Sequence, residues 1–234
     1  MHAENREAYG ALKTWHVLAD QGIVCGRHRV AQLRREAGIE AKRKRRFRVM
    51  VEHHHTPQAS PDLLKRQFKT HSPDRAWVGD MTFIRTRAGF LHLAILLDLF
   101  SRRIVGWAMA ERPNETLTAQ CLEMALVHRR PQEGLIHHTD QGVIYRARAY
   151  RSRLTECGMR SSMGGKKSAY DNAVAESFFS NLKNELVHHC DFVSREHARA
   201  AIFDYIELFY NRKRIHQTLG YRTPEEVERN WNGA

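Results

Sequence analysis

Long apolar stretches are missing from this sequence. The longest ends at Asp98, short of the roughly 20 residues a membrane-spanning helix needs, and no apolar signal region opens the chain. Cysteine is sparse too. The four present (Cys25, Cys121, Cys157 and Cys190) form no CxxC pair, which argues against a zinc knuckle or a disulfide framework and predicts reduced thiols in a soluble, cytoplasmic protein without a membrane partner. Internal repeats are absent, and three of the six prolines crowd into one polar stretch at Pro57, Pro61 and Pro73. Acidic residues are in deficit: 26 Asp and Glu face 38 Lys and Arg, a formal charge of +12. That balance favours a polyanionic partner, nucleic acid before a membrane surface. The excess is uneven, since residues 1–75 hold 16 of the Lys and Arg but only 8 of the Asp and Glu. The start of the chain is therefore the expected phosphate binder.

What is present begins with two short helices. Leu12, Trp15 and Leu18 or Ala19 recur at helical spacing before Gln21-Gly22, and Arg27 to Glu36 places Val30 and Leu33 inward with Arg27, Arg34 and Arg35 outward. Two helices around a glycine turn, the second basic, outline a helix-turn-helix-like DNA-binding unit; a helical hairpin with solvated arginines is the plainer alternative. Lys42, Arg43, Lys44, Arg45, Arg46 and Arg48 follow as a cation run suited to phosphates. The expected division is a DNA-binding region over 1–48, a linker over 49–73, and a catalytic region over 74–234. The His53-His54-His55 triplet in the linker lacks the spacing of a metal site.

From Ala76 the pattern becomes that of strands. Residues 77–84, 90–98 and 103–109 alternate around short turns and predict an antiparallel meander. A helix from Asn114 or Glu115 to about His128 comes next, with Leu117, Cys121, Met124 and Ala125 inward. Then come a short strand at 135–138, a helix from Tyr145 to Cys157, a strand near 159–162, a helix opened by Asp171 as its cap, a long helix from Ser194 to about Arg212 with Leu208 inward, and a last helix begun by Thr223-Pro224. This order is that of an α/β domain of the ribonuclease-H-like class: a mixed sheet flanked by helices, with a small N-terminal helix-turn-helix-like domain.

Three carboxylates fall where such a sheet gathers a site. Asp80 lies within the first strand, Asp140 at the carboxyl end of a later strand, and Glu176 near the start of a helix that also carries Lys183 two turns on. Hard oxygen ligands of this kind suit Mg²⁺, with Mn²⁺ as a substitute, and two such ions can activate a water or a 3′-hydroxyl while steadying the leaving oxygen. Asp98 competes for a place but ends a strand, where it could simply face solvent. Gly164-Gly165-Lys166-Lys167-Ser168 is not a phosphate loop, because no glycine stands five residues before Gly165. Lys166 and Lys167 are better placed as basic contacts to DNA just before the Glu176 helix.

Four motifs in order carry a resemblance. They are Trp77-x-x-Asp80-Met81-Thr82; His138-Thr139-Asp140-x-Gly142-x-x-Tyr145; Asp171-Asn172-Ala173-x-x-Glu176-Ser177-Phe178-Phe179 with Lys183; and Phe209-Tyr210-Asn211-x-x-Arg214-x-His216-x-x-Leu219-Gly220-Tyr221-x-x-Pro224. Together, with 35 residues between Asp140 and Glu176, they resemble the DDE transposases of the insertion-sequence three family, cousins of retroviral integrases. Two positions depart from the usual pattern, Thr139 where Ser is common and Ala169 where Cys is frequent. The resemblance implies a transposase: a two-metal core on Asp80, Asp140 and Glu176, Lys183 reaching transposon-end DNA, cleavage at element ends, and strand transfer in DNA recombination and integration. It also implies a homo-oligomer on DNA and an upstream reading frame supplying a helper segment. A non-catalytic DNA-binding regulator from a decayed element is the alternative, and a nuclease acting on RNA·DNA hybrids a third.

Overall fold

The computed structural model describes residues 1–42, 60–164 and 172–231. Arg43, Lys44, Arg45 and Arg46, the histidine triplet, Lys166, Lys167 and the Asp171 cap lie outside those residues. Among the described residues no helix is long and apolar enough to cross a membrane.

Five strands make one mixed sheet in the order β3-β2-β1-β4-β5. The meander forms first in sequence: β1 (Ala76–Thr86), β2 (Gly89–Asp98) and β3 (Ile104–Ala110) pair antiparallel. Gly89, at φ +107, makes the first turn possible, and its carbonyl accepts from the Thr86 hydroxyl at 2.7 Å. β4 (Ile136–Thr139) and β5 (Arg160–Met163) then join parallel to β1. Alternation along β1 and β2 divides the interior in two. Val78, Ile84, Leu93, Ile95 and Leu97 face one layer, and Trp77, Ala94 and Leu96 face the other.

The second layer is built by α3 (Glu115–Arg129), capped by the Asn114 side chain accepting from the Leu117 N–H, and by α5 (Arg148–Glu156), after the single turn α4 (Val143–Arg146). One long helix from Tyr145 was expected. The chain instead breaks at Ala147, whose extended backbone separates α4 from α5. α3 approaches β3 so closely that a Cβ on Gly106 would run into the Cys121 carbonyl oxygen and come within 2.8 Å of the Ala125 Cβ. Gly106→Ala is therefore expected to cost about 1–3 kcal/mol by overpacking, read as a lowered denaturant midpoint with the slope unchanged.

The first layer is α6 (Ala173–Glu185) and α7 (Arg195–Phe203), the latter continuing as a π-helical stretch over Asp204–Tyr210 rather than as regular α-helix. Wider winding carries Tyr205, Ile206, Phe209 and Tyr210 inward and leaves Leu208, expected inside, 47% exposed. After the π stretch, the Asn211 side chain grips β3 by accepting from the Ile104 N–H at 2.9 Å and donating to the Ile104 carbonyl at 3.1 Å. This occurs where the β2–β3 register slips at Leu96/Leu97. α8 (Pro224–Arg229) starts with a capping box between Thr223 and Glu226 and is bound to α3 by the Arg129–Glu228 ion pair at 2.9 Å.

Asp98 does not face solvent. It is fully buried and accepts from the N–H groups of Asp74, Phe100 and Ser101 and from the Ser101 hydroxyl, so it pins the β2–β3 turn. Part of the expected linker is also fixed. Met163 donates its N–H to the Pro61 carbonyl, Leu63 donates its N–H to the Ser162 hydroxyl at 2.9 Å, and Leu64 is buried.

At the front, α1 (Ala11–Asp20) and α2 (Arg27–Glu36) form the expected pair. Leu12 and Leu33, expected inside, are 42% and 46% exposed, and the buried positions of the two helices are Thr14 and Val30. The reason is what the pair packs against. Tyr9 is buried with its hydroxyl donating to the Lys213 carbonyl and accepting from the Ile215 N–H, Arg6 lies over the Tyr205 and Phe209 rings, and His16 stacks on Tyr221. The contact to the rest of the chain, rather than a leucine seam, sets which face turns in.

Candidate active site

Parallel pairing brings the two aspartates side by side. Val78 is opposite His138 in the β1–β4 register, so carrying that register two residues on sets Asp80 beside Asp140 just as β4 ends at Thr139. α6 is tied to the same place. The Asn172 amide donates to the Gly79 carbonyl at 3.4 Å, and the Glu176 N–H donates to the Asn172 carbonyl at 3.1 Å, one helical turn on. The middle of β1, the carboxyl end of β4 and the first turn of α6, far apart in the chain, are thus brought to one edge of the sheet.

Their environments differ. Asp140 and Glu176 are exposed. Asp140 Oδ1 accepts from the Gly142 N–H at 2.9 Å, and any Cβ at Gly142 would sit only 2.9 Å from that oxygen, which accounts for the glycine. Asp80 is half-buried and accepts from the Met81 N–H at 2.7 Å. Burial first, then the charges of Asp140 and Glu176, push the Asp80 carboxyl up to about 7, against the pull of the Met81 N–H and Lys183. Burial alone raises the Glu176 carboxyl. It also lowers the Lys183 ammonium, which Asp80 partly restores. Asp80 therefore feels the charges of Asp140, Glu176 and Lys183 together.

Two more residues belong here that the motifs contained without a role. The Tyr145 hydroxyl and Asn172 Oδ1 are buried without a hydrogen-bond partner among the described residues. Burial holds the Tyr145 phenol well above its usual range, with Asp80 and Asp140 adding to the effect. Among the described residues no three His, Cys, Asp or Glu side chains are drawn together into a ready metal cage. The donor set nevertheless fits a hydrated divalent cation. It offers hard carboxylate oxygens, Asp80 among them under the charges of the other two, with the unpartnered Tyr145 hydroxyl and Asn172 Oδ1 as polar atoms beside them.

The basic residues are placed unevenly. Arg27 and Arg35 are exposed on α2. Arg34 is turned into the fold instead, donating to the Thr14 hydroxyl at 3.1 Å and the Tyr9 carbonyl at 2.9 Å, so its work is to brace α1 on α2. Lys42 pairs with Glu7 at 3.8 Å and lines a groove of about 550 Å³ with Glu176, Ser177, Ser180, Asn181 and Asn184 along the outer face of α6. The first residue of the cation run thus stands beside the Glu176 helix.

α6 is held from behind by a buried pair. Glu185, its last residue, accepts from Arg214 Nε and Nη2 at 2.7–3.1 Å and from the Tyr205 hydroxyl at 2.8 Å. With Asn211, this gives the carboxy-terminal motif a structural role. Its Asn and Arg, three residues apart on a segment otherwise rich in aromatics, were the available signal.

Comparison with known proteins gives the family. The integrase core domain matches residues 70–169 and, in a second form, 176–230, and an HTH-like domain matches residues 1–47. The transposase for insertion sequence element IS904 of Lactococcus lactis is 41% identical over 97% of this chain and 89% of its own length. Transposase InsF for insertion sequence IS3A of Escherichia coli is 39% identical over 96% and 78%. Among solved structures, a chain of the simian T-cell lymphotropic virus intasome superposes with a TM-score of 0.59 at 14% identity, covering 95% of this chain and 76% of that one. The HTLV-2 integrase catalytic core domain, in a trimeric form in complex with magnesium, superposes with a TM-score of 0.52 at 15% identity, over 68% and 98%. Integrase-type fold, HTH-like front and relatives at about 40% identity across nearly the whole chain place this protein in the insertion-sequence three family of transposases.

Proposed function

We propose that Asp80, Asp140 and Glu176 are the catalytic carboxylates of this transposase, cutting DNA at the ends of its element and joining the freed 3′-hydroxyl to target DNA. The observation that carries the reading is the β1–β4 register, which sets Asp80 beside Asp140 at the sheet edge to which Asn172 ties the start of the Glu176 helix. Two divalent ions, Mg²⁺ or Mn²⁺, would be held by the three carboxylates and would supply Lewis-acid activation of the attacking and leaving oxygens. The magnesium complex of the HTLV-2 integrase core supports that choice.

The chain's own residues do the rest. Asp80 and Asp140, fixed by strand register and by the Met81 and Gly142 N–H groups, orient their oxygens toward a common phosphate. Glu176 closes the third side from α6. Lys183 neutralises a phosphate beside Asp80, and Arg27, Arg35, Lys42 and the cation run through Arg46, with Lys166 and Lys167, bind flanking duplex. A homo-oligomer on paired ends and a helper segment from an upstream frame complete the assembly.

The test uses a duplex carrying the element's terminus, with cleavage and joining products resolved on a denaturing gel. Wild type should act only with Mg²⁺ or Mn²⁺, and Asp140→Asn or Glu176→Gln should lower the rate on the order of 10²–10³-fold or more. Unchanged joining by either variant sinks the assignment. DNA binding by wild type with no metal-dependent nicking would instead favour the regulator.

A further inference from the structure

Two phenylalanines that the core does not use stand further along β1 and β2 from Asp80. Phe83 is 57% and Phe90 50% exposed, although rings of this size bring most when buried. Their centroids lie 5.2 Å apart, edge to face, and His92 extends the row 6.5 Å from Phe83. The β1–β2 register makes the row: Phe83 is opposite His92, and Phe90 is opposite Arg85.

Lys183 links the row to the site. Its Nζ lies 5.7 Å over the Phe83 ring, and its charge bears on Asp80. Strand alternation turns Phe83 to the opposite face from Asp80, about 10 Å further along β1. Among the described residues, however, β1 pairs with β4 only over Ala76–Val78. Beyond the Asn172 contact to Gly79 no strand pairs there among the described residues, and Lys183 is within reach of both the Phe83 ring and Asp80. Arg85, exposed and on the same face as Phe83, adds a second cation. Arg87 is already committed to Asp191.

We propose that Phe83 and Phe90 form a stacking platform for one unpaired base of the DNA strand whose phosphate lies at Asp80, Asp140 and Glu176, with Lys183 and Arg85 holding the neighbouring phosphates. This rests on the transposase reading of that site and says where the nucleotide next to the cut goes. A DNA strand bent around the part of β1 beyond its β4 pairing places its phosphate on one face and its base on the other. An aromatic face between cations suits such a strand, because every base has a π-face and the linking phosphates are anionic. A second copy of this chain is the poorer occupant, since it would oppose cations to cations.

The experiment uses the full chain and a terminal duplex in which 2-aminopurine replaces, in turn, each of the last three bases of either strand. Fluorescence is read in EDTA so that no cleavage occurs. Wild type should quench one position by stacking. Phe83→Ala/Phe90→Ala should abolish that quenching and raise the half-saturating DNA concentration about 10-fold or more, the range expected of base–aromatic stacking, while Phe83→Trp retains both. The platform is overturned if the double variant quenches as wild type does. It is equally overturned if no position is quenched by bound wild type, or if the double variant changes only the oligomeric state in sedimentation. Loss of metal-dependent cleavage in wild type with quenching intact would instead sink the catalytic reading alone.

Discussion

Asp80→Asn should stop strand transfer and at the same time make the protein more stable. The Asp80 carboxyl sits at about 7 because burial and two like charges disfavour its ionised form in the folded chain. An amide of the same shape removes that charge and keeps the volume. Discounted for the partial exposure of the side chain, the relief at pH 8 is about 2 kcal/mol, or several degrees in the melting temperature of a domain this size. The pH dependence has a definite sign. With the folded value raised from 3.8 to about 7, the folded protein holds more protons than the unfolded chain across that window. Asp80 therefore makes wild type less stable as pH rises from about 4 to 7, a contribution the variant lacks. Magnesium should act in the opposite direction on wild type, raising its melting temperature by mass action, and have little effect on Asp80→Asn. Scanning calorimetry of both proteins at pH 5 and pH 8, with and without Mg²⁺, reads all of this. A variant that melts below wild type at pH 8 would remove the electrostatic account of the site.

Arg214→Ala has the largest expected effect on stability. It leaves the Glu185 carboxylate buried with only the Tyr205 hydroxyl for company, and breaking a buried pair of this kind costs about 3–5 kcal/mol. In a chain of this length that is a fall of roughly 10 °C. The loss should be local before it is global, because Glu185 closes the helix that carries Glu176 and Lys183. Hydrogen exchange should quicken over α6 ahead of β1 and β2. The paired change Arg214→Met with Glu185→Leu should recover a large part of the stability, since two apolar side chains of similar volume need no partner. If the single variant melts like wild type, the pair contributes nothing and the anchoring of α6 lies elsewhere.

These two residues mark the limits of what could be read from the letters. β1 and β2 are legible because apolar, β-favouring runs lie between short turns, and Asp80 is conspicuous as a charge inside such a run. Asp140 is legible as a charge where a short apolar strand stops. Their adjacency is not, because it depends on β4 entering parallel to β1 at one register, and nothing local fixes a parallel register. Arg214 and Glu185 fail for the same reason: burial of a charge is a property of two distant segments. Asp98 looked like a strand-end residue in water because three of its four partners are backbone N–H groups, which carry no sequence signal. Leu12 and Leu33 misled in the other direction. Helical periodicity predicts which residues share a face, but Tyr9, reaching Lys213 and Ile215, decides which face turns inward.

The strap over Pro61–Leu64 has a consequence for how copies of this protein behave together. β5 is an outermost strand, and such a strand with free backbone groups is a template on which another chain can add. Here the Met163 N–H is already taken by Pro61, and the Ser161 and Ser162 hydroxyls by Ser60 and the Leu63 N–H. The segment works as a selvedge, finishing the cloth with its own thread at the Met163 end, so that a chain adding to that side meets a strand already partly covered.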